Sequence, residues 1–203
     1  MLVTDLKIQK NNDQRCSLFI DGEFYCGITA ETAVYFHIKK GMELSQEELD
    51  LILKRDGYSS ALEVALSYAS RTANKSKRDF ADRLSDYPPE VVDNVLTRLE
   101  ELGYINDELL AMDIVKRSLS KNEGPLLIRQ RLASRRVDRL KAQEAMDSVD
   151  YDDLISAAKK CGEEAMRKYG IEDVKGRAKV YAAMQRRGFT YDMITEALGE
   201  IED

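Results

Sequence analysis

Ser76–Leu84 (SKRDFADRL), Gly124–Leu132 (GPLLIRQRL) and Gly176–Met184 (GRAKVYAAM) are three versions of one segment. Each opens on a small residue and reaches an apolar one eight positions on, with Phe80, Ile128 or Val180 midway. Offsets of four and eight share one face of an α-helix, so the same buried stripe is written three times. The segments start 48 and 52 residues apart. A helical pattern precedes each one (Ala61 to Arg71, Glu108 to Leu119, Asp152 to Tyr169). Another follows each (Glu90 to Leu102, Arg139 to Val149, Tyr191 to Ile201). A three-helix unit returning at this period is the signature of a tandem array, in which each copy buries its open face on a neighbour.

Local chemistry marks the unit edges. Pro88-Pro89 opens the helix carrying Val91, Val95 and Leu99, and Gly103 ends it. Gly124-Pro125 opens Leu127 to Arg135, and Asp138 caps the helix after it. Leu154, Ile155, Ala158, Cys161, Ala165, Met166 and Tyr169 form one stripe, read as packing. Gly188-Phe189-Thr190 supplies a stop, an apolar plug and a cap.

The first 28 residues read differently, and every segment from Thr29 onward reads helical. Thr4 to Lys10 alternates, with Leu6 and Ile8 facing one way. Arg15 to Asp21 follows with Cys16, Leu18 and Ile20 on one face, and Glu23 to Ile28 supplies a third strand. Asn11-Asn12-Asp13 and Asp21-Gly22 are turn chemistry. This three-stranded meander must lean on a helix. Thr29 caps a helix expected to run to about Lys40 and to stop at Gly41. Ser45-Gln46-Glu47-Glu48 is a capping box for a helix expected to end near Gly57, and Ser60-Ala61-Leu62-Glu63 is a second box opening the next. The expected organisation is a β-meander with helices at 1–58 and three-helix repeats at 59–105, 106–149 and 150–203. The fold class is mainly α: an elongated, curved array of three repeats behind a small antiparallel sheet.

Composition excludes several classes. The 203 residues are 43% apolar, too many for a wholly disordered chain, and 33% charged. No run approaches the ~20 apolar residues of a membrane span, and the charged start Met1-Leu2-Val3-Thr4-Asp5-Leu6-Lys7 is not a signal peptide. Cys16, Cys26 and Cys161 read as free thiols of a reducing cytosol, a Cys16–Cys26 disulfide being the lesser alternative. The single histidine, His37, reads as a partly exposed helix residue rather than a base. Local Cys and His cannot supply four zinc ligands, and GxGxxG, GxxxxGK[ST] and HExxH are missing. Carboxylate pairs such as Glu47/Glu48, Glu100/Glu101 and Asp152/Asp153 read as solvated helix faces. The expectation is a non-enzymatic protein with no catalytic residue, cofactor or metal.

Charge is unevenly spread. The chain carries a net −6, yet Val115 to Ala142 holds nine basic side chains against two acidic ones, a local +7. Arg129 and Arg136, seven apart, are expected to share one row of the outer wall, and Arg131 and Arg135 another. An arginine fork clasps carboxylate or phosphate with two bonds, so this band can steer an anionic partner while the acidic remainder discourages indiscriminate DNA coating.

The sequence resembles the RecX regulators of the bacterial RecA recombinase. The resemblance runs through Ala65-Leu66-Ser67-Tyr68-Ala69-Ser70-Arg71, Ser76-Lys77-Arg78-Asp79-Phe80 with Leu84, and Leu99 to Asp107. It continues through Ala111, Lys116-Arg117, Gly124, Ile128 and Leu132, and closes with Arg187-Gly188-Phe189, Asp192, Ile194 and Ala197-Leu198. Residues 60–203 are covered in order, and the leading strands look like the family's N-terminal extension. Ser85-Asp86-Tyr87 and Ser134-Arg135-Arg136-Val137 stand where a glycine-containing turn is commoner, and Ala69 where leucine is. The resemblance implies nine helices in three units. It also implies a non-enzymatic, cytoplasmic function in homologous recombination, DNA repair and the SOS response. Such proteins lie in the groove of RecA filaments on single-stranded DNA and restrain ATP hydrolysis, strand exchange and co-protease activity. On that reading Lys116, Arg117, Arg129, Arg131, Arg135, Arg136 and Arg139 contact acidic filament surface or DNA phosphate. The rival readings are a helical-repeat nucleic-acid-binding module and a scaffold for another protein partner. Monomer is the default state, and no membrane is implied.

Overall fold

The computed structural model describes residues 1–71 and 74–202; residue 203, where the third repeat was expected to end, lies outside them. Three strands come first: β1 (Val3–Gln9), β2 (Asn12–Ile20) and β3 (Glu23–Thr29). They form an antiparallel meander in the order β1-β2-β3, with Leu18 opposite Leu6 on one side and Cys26 on the other. At the second hairpin Asp21 (φ 51°) and Gly22 (φ 94°) both take the left-handed backbone that a two-residue turn requires. Alternation buries Cys16, Leu18 and Ile20 of β2 together with Val3 and Ile28. Leu6 packs on this core, but Ile8, expected beside it, is 70% exposed. It pairs with Cys16 beside an irregularity in the β1–β2 register, near the end of the strand.

Helix α1 (Ala30–Tyr35) follows, with the Thr29 hydroxyl accepting from the Thr32 amide. It ends well short of the expected Lys40. His37 adopts φ 50°, its amide donates to the Val34 carbonyl and that of Ile38 to Ala33, a left-handed closure usually built on glycine. His37 is therefore an exposed turn residue rather than a helix residue.

The capping box at Ser45 forms: the Ser45 amide donates to Glu48 Oε2 at 2.8 Å, and the Glu48 amide to Ser45 Oγ at 3.1 Å. It opens α2 (Gln46–Arg71), one unbroken helix of 26 residues in place of the two expected. Gly57 keeps right-handed backbone, and the second box at Ser60 is not used. The Ser60 hydroxyl instead accepts from Arg15 and Tyr87. Leu49 and Ile52 of α2 lie against the sheet and complete its core.

The remaining helices are α3 (Lys77–Arg83), α4 (Pro89–Glu101), α5 (Asp107–Leu119), α6 (Pro125–Ser134) and α7 (Arg139–Asp147), then α8 (Tyr151–Tyr169), α9 (Val174–Arg186) and α10 (Tyr191–Glu202). The molecule is thus mainly helical behind its N-terminal sheet. Two compact units emerge. One holds β1–β3, α1, α2, the second half of α3, and α4; the other holds Asn74–Asp79 and α5–α10. In the second unit Leu110, Ala111, Ile128, Leu132, Ala158, Val180, Met184 and Ile194 belong to one core. The thrice-written stripe is buried at every apolar position: Phe80, Leu84, Ile128, Leu132, Val180 and Met184 are each 1% exposed or less. Cys16, Cys26 and Cys161 are free thiols. Among the described residues no helix is long and apolar enough to cross a membrane.

Candidate functional site

Helices α5, α6 and α7 carry the basic band, and their termini explain how it is held. Asn106 Oδ1 accepts from the Leu109 amide to start α5, and Asp138 Oδ1 accepts from Leu140 and Lys141 to start α7. The Asp107 carboxylate accepts from the Lys77 amide at 2.9 Å and from the Asp138 amide at 3.0 Å, tying three segments together. Helix α6 has no side-chain cap. Its start is satisfied by the turn after α9: Gly124 N–H donates to the Arg187 carbonyl at 2.7 Å and Leu126 N–H to the Gly188 carbonyl at 3.0 Å. This helix end is closed by backbone more than 60 residues away, an arrangement no local pattern announces.

The seven candidate residues divide by partner. Arg131 directs Nε and Nη2 at Glu123, both at 2.6 Å, and the Glu123 side chain is only 5% exposed. That bond raises the Arg131 pKa further, so the guanidinium keeps its charge. Arg117 Nε donates to Asp113 Oδ1 at 2.9 Å, one turn back on α5. Arg136 lies 3.6 Å from Asp79 Oδ1. Arg135 donates to the Asn74 carbonyl, which leaves its charge uncancelled. Lys116, Arg129 and Arg139 are exposed and have no ion pair among the described residues.

Arg117, Arg131 and Arg135 meet at a cleft of about 200 Å³ whose rim also includes Lys121, Ser118 and Asn74. Lys116, Arg129, Arg136 and Arg139 lie outside that cleft. Lys121, one turn beyond Arg117 in the basic band, adds a fourth cation to this cleft beyond the seven candidate residues. The expected Arg129/Arg136 row does not form. Helix α6 ends at Ser134 with Arg135 as its cap, and Arg136 takes φ 58°. Its amide then donates to Ala133 and that of Val137 to Leu132, so Arg136 fills the left-handed position where glycine is commoner. Among the described residues no three His, Cys, Asp or Glu side chains gather into a metal-binding group.

A three-stranded meander resting on a long helix and followed by further helices is the architecture of the RecX regulatory proteins. Residues 1–45 match the regulatory protein RecX N-terminal domain, and residues 152–198 match the third three-helix domain of RecX. The chain is 30% identical over 210 residues to the regulatory protein RecX of Bacillus subtilis (strain 168), covering 98% of this chain and 77% of that one. Identity to the regulatory protein RecX of Clostridioides difficile (strain 630) is 29% over 206 residues, covering 98% and 95%. A crystal structure of a regulatory protein RecX superimposes with a TM-score of 0.68 at 23% identity, over 96% of this chain and 98% of that one. RecX from Lactobacillus salivarius gives 0.64 at 21%, over 73% and 98%. The chain belongs to the RecX family of regulatory proteins.

Proposed function

We propose that the protein binds RecA filaments assembled on single-stranded DNA and restrains their ATP hydrolysis, strand exchange and co-protease activity. The reading rests on family membership and on one observation: α5–α7 present cationic side chains that the fold does not neutralise. Lys116, Arg129 and Arg139 lack an internal acid among the described residues, and Arg135 is held only by a carbonyl. Arg117, Arg131 and Arg136 already have internal acids. The first four therefore carry the polar contact to filament acids or DNA phosphate, and the other three shape the surface around them. A protein bound preferentially to one arrangement of filament subunits slows any cycle that must leave it, by population shift.

Charge reversal at Lys116, Arg129 and Arg139 tests this. The triple glutamate variant is expected to keep the fold and lose most of its inhibition of RecA ATPase. Full inhibition by a folded variant removes the band from the mechanism. Arg136 is left intact, because its backbone role would mix stability with binding. Co-sedimentation with RecA filaments, compared with naked single-stranded DNA across a salt series, separates filament recognition from phosphate binding, which falls steeply with ionic strength.

A further inference from the structure

The first unit contains a cavity of about 560 Å³ between the start of β2, the C-terminal half of α2 and the end of α3, outside the band described above. Arg15, Arg71 and Arg83 reach it from those three elements, and Ser60, Ser67 and Glu63 line it with them. Arg15 is held in place. Its Nη1 donates to Ser60 Oγ at 3.2 Å and its Nη2 to the Gly27 carbonyl at 3.0 Å. Two of five guanidinium N–H donors are used in these bonds, and the rest remain for a ligand. Asp56 Oδ2, 3.9 Å away, partly offsets the charge without an ideal hydrogen bond.

The serine adds a second fixed group. Ser60 Oγ accepts from both Arg15 and Tyr87, which leaves its own O–H to donate. Arg71 rests on Ser67 Oγ at 3.4 Å, and Arg83 has no partner among the described residues. Three arginines and the Ser60 hydroxyl thus line the cavity with one carboxylate, Glu63. Several donors arriving from different directions suit a tetrahedral oxyanion with many acceptor positions better than a planar carboxylate. The volume exceeds what the anion alone needs and falls in the range of small-molecule sites. We propose that this cavity binds the phosphate group of a small organic phosphate ester of mononucleotide size. The assignment is independent of the filament-binding reading.

The test uses the full chain and observes the cavity directly, through the backbone amide resonances of Gly27, Ser60 and Ser67. Inorganic phosphate, adenosine 5′-monophosphate and a thymidine tetranucleotide are titrated separately at fixed ionic strength. Saturable shifts of these amides with the first two probes are expected, the monophosphate ester binding the tighter. Arg83→Gln is expected to weaken binding about tenfold, the loss of one charge-assisted contact. Glu63→Gln is expected to tighten it about threefold by removing the competing negative charge. Unperturbed spectra elsewhere certify both variants as folded, and Arg71→Gln serves if Arg83→Gln is not. Amides that do not move, an affinity indifferent to both arginines, or tighter binding of the tetranucleotide than of the monophosphate ester overturns the proposal.

Discussion

Gly124 and Gly188 lie back to back: a Cβ on Gly124 would stand 2.5 Å from the Gly188 carbonyl carbon, and one on Gly188 2.5 Å from Leu127 Cβ. The contact joins the start of α6 to the turn after α9, where the Gly124 amide meets the Arg187 carbonyl. Arg187 Nη1 reinforces it by donating to the Lys121 carbonyl at 2.6 Å. Gly124→Ala must push two stretches of backbone apart, since no flexible side chain is there to yield. A loss of about 3 kcal/mol is expected in urea unfolding, at the high end for overpacking. Gly188→Ala is expected to cost at least as much, because its φ of 87° adds left-handed strain.

Removing Arg131 and removing Lys116 separate support from contact. Arg131→Ala leaves the buried Glu123 carboxylate unpaired and is expected to destabilise the chain by about 2 kcal/mol. The figure lies below that of a fully buried pair because the Arg131 side chain is 44% exposed. Lys116→Ala and Arg129→Ala are expected to stay within about 0.5 kcal/mol of the parent. Equal losses at all three positions would contradict the division drawn between them.

Arg136 pays a conformational penalty that glycine would not. Arg136→Gly is expected to raise the unfolding free energy by up to about 1 kcal/mol, left-handed strain outweighing the long, partly exposed contact to Asp79. Arg136→Val, β-branched and without the charge, is expected to move in the opposite direction. Thermal unfolding of the pair reads the sign.

Gly57 sits inside α2 with ordinary helical backbone, and an added Cβ would meet only Val91 Cγ2, at 3.9 Å. Gly57→Ala is expected to stabilise the protein by roughly 0.5–1 kcal/mol, since the helix is already continuous and only backbone freedom is removed. Destabilisation would mean that the glycine serves a bend in solution.

Burial pushes the thiols of Cys26 and Cys161 above their ordinary range. The folded state therefore holds these protons longer than the unfolded chain. Their contribution to stability is complete below the ordinary thiol range and is lost as pH rises through it toward the folded values. The drop in urea midpoint between about pH 7 and about pH 10 is expected to be smaller in Cys161→Ala than in the parent. An unchanged slope would show that Cys161 does not contribute to the alkaline loss.

Elements specified by neighbouring residues were legible in the sequence. The Asp21-Gly22 hairpin, the Ser45–Glu48 box, the Asp138 cap and the repeated core stripe each follow from spacing within one turn or one hairpin. Three features were not legible, for two physical reasons. His37 and Arg136 occupy left-handed closures without being glycine, so α1 ended where no stop was written and Arg136 left the row expected with Arg129. Helix α2 runs unbroken through Ser60, whose hydroxyl takes Arg15 and Tyr87, two partners distant in sequence. In the candidate site the charge excess was visible, whereas the pairing of Arg131 with Glu123 and of Arg136 with Asp79 required the fold to bring those groups together.

The unbroken α2 has a mechanical consequence. Twenty-six residues at 1.5 Å each make a rod of about 39 Å, with the sheet seated on its first turns and α4 lying along it. A joint at Gly57 would let the sheet swivel and dissipate any pull from a bound partner. A stiff spar instead carries torque from the strands to α4, so force applied at one end is felt at the other.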